Sequence, residues 1–141
     1  MIGVPKIALA GALWCAAAMT DPLPFKTIET GIQSGIENAR EVVVRTPAEW
    51  KALCGQYADG RPCPTIDFST STVVGVCLGT RPSAGYSVEI TGVEREGDAI
   101  VVTYRERKPG PNEMSAQMIT MPYVLVSIDR VTGPIRFVRA R

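Results

Sequence analysis

From position 73 onward the chain breaks into strand-length apolar runs separated by strong turn signals, a pattern that leaves little room for anything but a β-rich fold. The runs predict strands at 73–79, 85–93, 99–107 and 120–129. Side chains alternate across a pleated strand, so Tyr86, Val88 and Ile90 share one face against Ser87, Glu89 and Thr91. In the next run Ile100, Val102 and Tyr104 oppose Val101, Thr103 and Arg105. One face is buried and the other mostly wet. Arg95-Glu96-Gly97-Asp98 reads as a tight polar turn, and Arg107-Lys108-Pro109-Gly110-Pro111-Asn112 interrupts the sheet before the last long strand. Tyr123-Val124-Leu125-Val126-Ser127-Ile128 is apolar on both faces, which marks a central strand, and Ile135-Arg136-Phe137-Val138 adds an edge strand.

Upstream the period changes. Asp21-Pro22-Leu23-Pro24 reads as a linker, Phe25 to Glu29 as a short first strand broken at Gly31 and Ser34-Gly35, and Glu41-Val42-Val43-Val44-Arg45 as another strand. Thr46-Pro47-Ala48-Glu49 then writes a helix start: a capping hydroxyl, a proline at the first helical position and a carboxylate able to reach back to the cap. Trp50, Leu53, Cys54 and Tyr57 follow at i, i+3, i+4 and i+7, a single stripe that must face a core. The expected class is β-rich α+β: an antiparallel sheet, meander or sandwich-like, with one packed helix.

The first eighteen residues stand apart. One positive charge precedes the small and apolar run from Ile7 to Ala18, which ends in Ala16-Ala17-Ala18 and is shorter than a bilayer core requires. Residues 1–18 read as a secretory signal peptide, 19–30 as linker and first strand, and 31–141 as one β-rich domain. Cys15 invites a lipoprotein reading, but bulky Trp14 occupies the place where a small residue is wanted. The expected location is extracytoplasmic, periplasmic or secreted, with no membrane span after cleavage. Cleavage removes Lys6 and leaves 14 basic and 14 acidic residues. A chain without net charge has no global field to draw it to nucleic acid, which is not an expected partner. In an oxidising compartment Cys54 and Cys63, separated by a turn-forming Asp59-Gly60, can close a short disulfide loop, while Cys77 lies inside an apolar run and reads as core.

The chain contains no histidine, which removes the commonest general base and transition-metal ligand together. Cys77 has no thiolate-stabilising neighbour in sequence, and the cysteines lack metal-ligand spacing. The glycines at 79 and 85 precede a strand, so the amide fan of a phosphate loop has no helix to build on. No cofactor, no metal and no catalytic residue is expected, and the reading is a protein that is not an enzyme.

What remains is one end of the sheet. In an up-and-down meander successive connections alternate ends, so the loops at 80–84 and 108–119 emerge on the same side, together with Met121-Pro122-Tyr123. The string Val73-Val74-Gly75-Val76-Cys77-Leu78-Gly79-Thr80-Arg81-Pro82-Ser83-Ala84-Gly85-Tyr86-Ser87-Val88, then Lys108-Pro109-Gly110-Pro111 and Met121-Pro122-Tyr123, resembles the C-terminal domain of the PrcB family. Ser34-Gly35-Ile36, Ala48-Glu49-Trp50 and Ile66-Asp67-Phe68-Ser69 fit the same pattern, so the resemblance spans about residues 30–130. Ala84 stands where glycine is expected, and Cys54 and Cys63 look like additions. The family takes its name from a small exported subunit needed for the stability of a surface protease complex. The resemblance therefore implies a non-catalytic, protein-binding role whose partner is another exported protein such as a protease.

A weaker resemblance links Arg81-Pro82-Ser83-Ala84-Gly85-Tyr86 to the Asn-Pro-Thr-Thr-Gly-aromatic loop of chagasin-like protease inhibitors, although Arg81 replaces Asn and no Arg-Pro-Trp loop is present. Inhibition through the loops at 80–85 and 108–112 is the alternative function. The expected partner contacts are Arg81, Pro82, Ser83, Lys108, Pro109, Gly110, Pro122 and Tyr123. Arg81 leads that set because folding explains it least, whereas Tyr86 alternates with core residues, and Pro109 to Pro111 also suits an ordinary loop.

Overall fold

Residues 73–77 of the fourth strand divide their side chains between two cores, and that division organises the whole chain. The structure, a computed structural model, describes Gly3 and residues 20–141; apart from Gly3, the expected leader and Cys15 lie outside the described residues. The elements run β1 (Thr20–Pro22), β2 (Phe25–Gly31), β3 (Arg40–Val44), α1 (Pro47–Tyr57), β4 (Ser71–Cys77), β5 (Ser87–Glu96), β6 (Ala99–Arg107), β7 (Tyr123–Asp129) and β8 (Ile135–Arg139). They form two four-stranded sheets, ordered β1-β5-β6-β8 and β2-β7-β4-β3.

The second sheet is the middle layer. Val73 and Cys77 of β4, with Tyr123 and Leu125 of β7, pack under α1 against Trp50, Leu53, Cys54 and Tyr57. Their alternates Val74, Val76, Val124, Val126 and Ile128 point the other way, onto Val88, Ile90, Val93, Ile100 and Val102 of the first sheet. This is why β7 is apolar on both faces: it lies inside the sheet order and between two cores. Each fully buried valine here contributes about 1.5–3 kcal/mol of transfer free energy.

The helix begins as its sequence dictates. Thr46 is extended (φ −134°, ψ 153°) and its Oγ1 accepts from the Glu49 amide at 3.2 Å, while that hydroxyl donates to the Glu49 carboxylate at 2.9 Å. Pro47 fills the first helical position, and Trp50, Leu53, Cys54 and Tyr57 are the buried stripe.

The fold is the expected β-rich α+β class in its sandwich form, since the connections β4 to β5 and β6 to β7 cross between sheets. Two details differ. The segment read as a linker contains β1, whose Asp21 lies opposite Arg95 of β5. The edge strand β8 exists, but it pairs parallel with β6, Val102 lying opposite Phe137.

Candidate functional site

The expected meeting of two loops at one end of the fold is present, and backbone hydrogen bonds make it. Arg81 N–H donates to Thr120 O at 2.7 Å and Thr120 N–H to Arg81 O at 2.9 Å, a small antiparallel bridge. Ala84 N–H donates to Ala116 O at 3.0 Å, and the Thr120 hydroxyl to Ser83 O at 3.0 Å. The two loops approach so closely at Gly85 that a Cβ there would stand 2.7 Å from Ser115 Oγ and 3.0 Å from Pro109 Cβ, and its φ of +94° disfavours any side chain as well. A third segment joins them: Met121 N–H donates to Ile32 O at 2.7 Å, and Thr80 N–H to Glu37 O at 3.0 Å.

Arg81, expected to be the contact least explained by folding, is explained by folding. Its Nε donates to Glu106 Oε1 at 2.7 Å, and one terminal nitrogen donates to Leu78 O at 3.0 Å and Thr80 O at 3.1 Å. The Glu106 side chain is only 2% exposed and also pairs with Arg139 of β8. Burial pushes the Glu106 carboxyl up, yet the Arg81 hydrogen bond and the charges of Arg81, Arg139 and Lys108 outweigh it and hold the group below the usual carboxylate range. The geometry is that of a structural ion cluster.

Pro122 and Tyr123 are corrected for a similar reason. Pro122 is fully buried and Tyr123 only 3% exposed, since β7 begins inside the fold and carries both into the core. The Tyr123 hydroxyl donates to Glu29 at 3.1 Å, where Arg61 pairs with the same carboxylate at 3.0 Å. Tyr57 stacks beside it at 5.4 Å, and its hydroxyl lies 3.4 Å from Cys54 Sγ. Burial, then the neighbouring Glu29, drives the Tyr57 hydroxyl well above its ordinary range. The Cys54–Cys63 disulfide is formed, with Cα atoms 5.9 Å apart, and Cys77 is a buried free cysteine.

Of the expected contacts, Pro82 and Lys108 are exposed, while Ser83, Pro109 and Gly110 are half-buried where the loops press together. Beside them stands a group that the sequence reasoning passed over. Met114, Met118 and Ile119 are 102%, 42% and 65% exposed, and Ile32, whose carbonyl accepts from Met121, is 37% exposed. Gln33 Nε2 donates to Ile119 O at 3.2 Å, which holds the Ile32 segment against that loop. The signal in the sequence was three large apolar residues inside a long loop that follows Lys108-Pro109-Gly110-Pro111.

Residues 72–129 match the family described as PrcB C-terminal. That span runs from the start of β4 to the end of β7, and so includes both facing loops. No curated protein and no solved structure matches the chain.

Proposed function

We propose that the chain, whose residues 72–129 match the PrcB C-terminal family, is an exported, non-catalytic subunit that holds or stabilises a protease-associated partner through the end of the sandwich where the 80–85 and 108–119 loops meet. The observation that carries this reading is the exposure of Met114, Met118, Ile119 and Ile32 in segments that backbone hydrogen bonds at Ala116, Thr120 and Met121 tie together. Large apolar side chains in water gain by being covered, and a backbone already ordered loses little entropy when they are. Methionine adapts to irregular partner surfaces. Pro82 and Lys108 form the rim of this contact, with Ser83, Pro109 and Gly110 supporting the backbone behind it. The disulfide supports location in an oxidising compartment.

The test replaces Met114, Met118 and Ile119 together by Ser and measures co-purification with protease components of the cell envelope. Loss of capture with an unchanged melting temperature is the expected result. Unchanged capture overturns the assignment of this end. If instead the wild-type protein abolishes hydrolysis of a peptide substrate by a papain-like protease, the inhibitor reading replaces the subunit reading.

A further inference from the structure

The open side of the sandwich carries a second surface. Strand β8 has β6 as its only neighbour among the described residues. Ile100 N–H donates to Pro134 O at 2.9 Å and Ala140 N–H to Tyr104 O at 2.8 Å, so in this parallel pair the even-numbered residues of β8 turn their backbone groups toward β6. Both backbone groups of a residue in a parallel strand face the same neighbour. Ile135, Phe137 and Arg139 therefore turn theirs outward, a row of donors and acceptors at alternate positions, which is what an added strand pairs with.

Beside this edge lies a cavity of about 410 Å³ that reaches across to β3. Val76, Leu78 and Tyr104 form part of its lining, with Arg40, Arg81 and Arg139 and the single carboxylate of Glu41 around it. The chain from residue 130 to residue 141 holds Arg130, Arg136, Arg139 and Arg141 and no acidic residue. Arg136 pairs with Glu96 at 3.3 Å and Arg139 with Glu106, while Arg141 is exposed, so the strip stays positive overall and a second copy of β8 would meet like charge.

We propose that β8 is a docking edge for an extended acidic segment of a partner protein, which adds as a strand beside Ile135, Phe137 and Arg139. Apolar residues on one face of the segment enter the cavity over Val76, Leu78 and Tyr104. Acidic residues on the opposite face meet Arg136, which lies on the other side of β8 from Ile135 and Phe137, and Arg141 just beyond the strand. This surface stands on the side of the sandwich and does not depend on the loop-end contact.

The probe is a capped heptapeptide of alternating valine and aspartate, with the lysine counterpart as control. Amide exchange read by NMR should slow at Ile135, Phe137 and Arg139 on adding the aspartate peptide, with little change at Arg136 and Val138, which already face β6. The Arg136→Gln/Arg141→Gln variant should melt close to wild type, since the Arg136–Glu96 pair it loses is exposed, and bind the peptide at least about tenfold more weakly. Protection by both peptides alike, binding without protection of those three amides, or full affinity in the variant overturns the proposal. So does protection that rises with protein concentration in the absence of peptide, which would make a second copy the occupant.

Discussion

Arg81 Nε stands 2.7 Å from Glu106 Oε1, and the Glu106 side chain is 2% exposed. This pair ties the 80–85 turn to β6, and through Arg139 on the same carboxylate it ties both to β8. A buried carboxylate stripped of one cation costs far more than an exposed pair does. Because Arg139 still pairs with the carboxylate, Arg81→Ala should destabilise the fold by about 1–3 kcal/mol, read as a fall in the urea midpoint. Lys108→Ala, with an exposed side chain, should leave the midpoint within about 0.5 kcal/mol.

The same carboxyl supplies a pH dependence. Its folded pKa is held below the ordinary carboxylate range, so its contribution is complete above the unfolded-state value. That contribution is lost as pH falls through the folded value. Wild type should therefore lose stability on acidification more steeply than Glu106→Gln, which carries no proton-linked charge there. Parallel curves of denaturation midpoint against pH would count against this account of Glu106.

Gly85 is the point where the loops touch. With φ +94° and a Cβ that would stand 2.7 Å from Ser115 Oγ, Gly85→Ala must open the contact or strain the turn. We expect a loss of about 1–3 kcal/mol and faster proteolysis within residues 108–119, checked by limited digestion and mass spectrometry.

The disulfide closes the segment after α1, and Arg61 within that segment reaches Glu29. Replacing Cys54 and Cys63 together by Ala should cost about 2–4 kcal/mol. Tyr123→Phe, which removes one hydrogen bond to Glu29, should cost about 1 kcal/mol. Thermal denaturation of the two variants side by side checks both the magnitudes and their order.

The parts of the fold legible in the sequence were those written in local chemistry. Thr46, Pro47 and Glu49 place the helix start, and the two-sided apolar run of β7 marks an interior strand. The partition into two sheets was not legible, because alternation tells which side chains share a face but not which strand lies beside which. The shared end of the two loops was anticipated, although sheet crossings and the bridge between Arg81 and Thr120 produce it. Arg81 was misread for a related reason: its partner Glu106 lies 25 residues away, across a pairing that only the fold creates. Pro122 and Tyr123 lie at the end where the two loops meet, but β7 buries them, and exposed Met114, Met118 and Ile119 lie a few residues earlier.

The loop-end contact is tested most directly by placing a photo-crosslinking side chain at Met118 and, separately, at Thr91 on the solvated face of β5, and irradiating both proteins in their native envelope. A crosslink from position 118 to an exported protease component, identified by mass spectrometry, is expected, and none from position 91. An equal yield from both positions, or a product from position 91 alone, would contradict it.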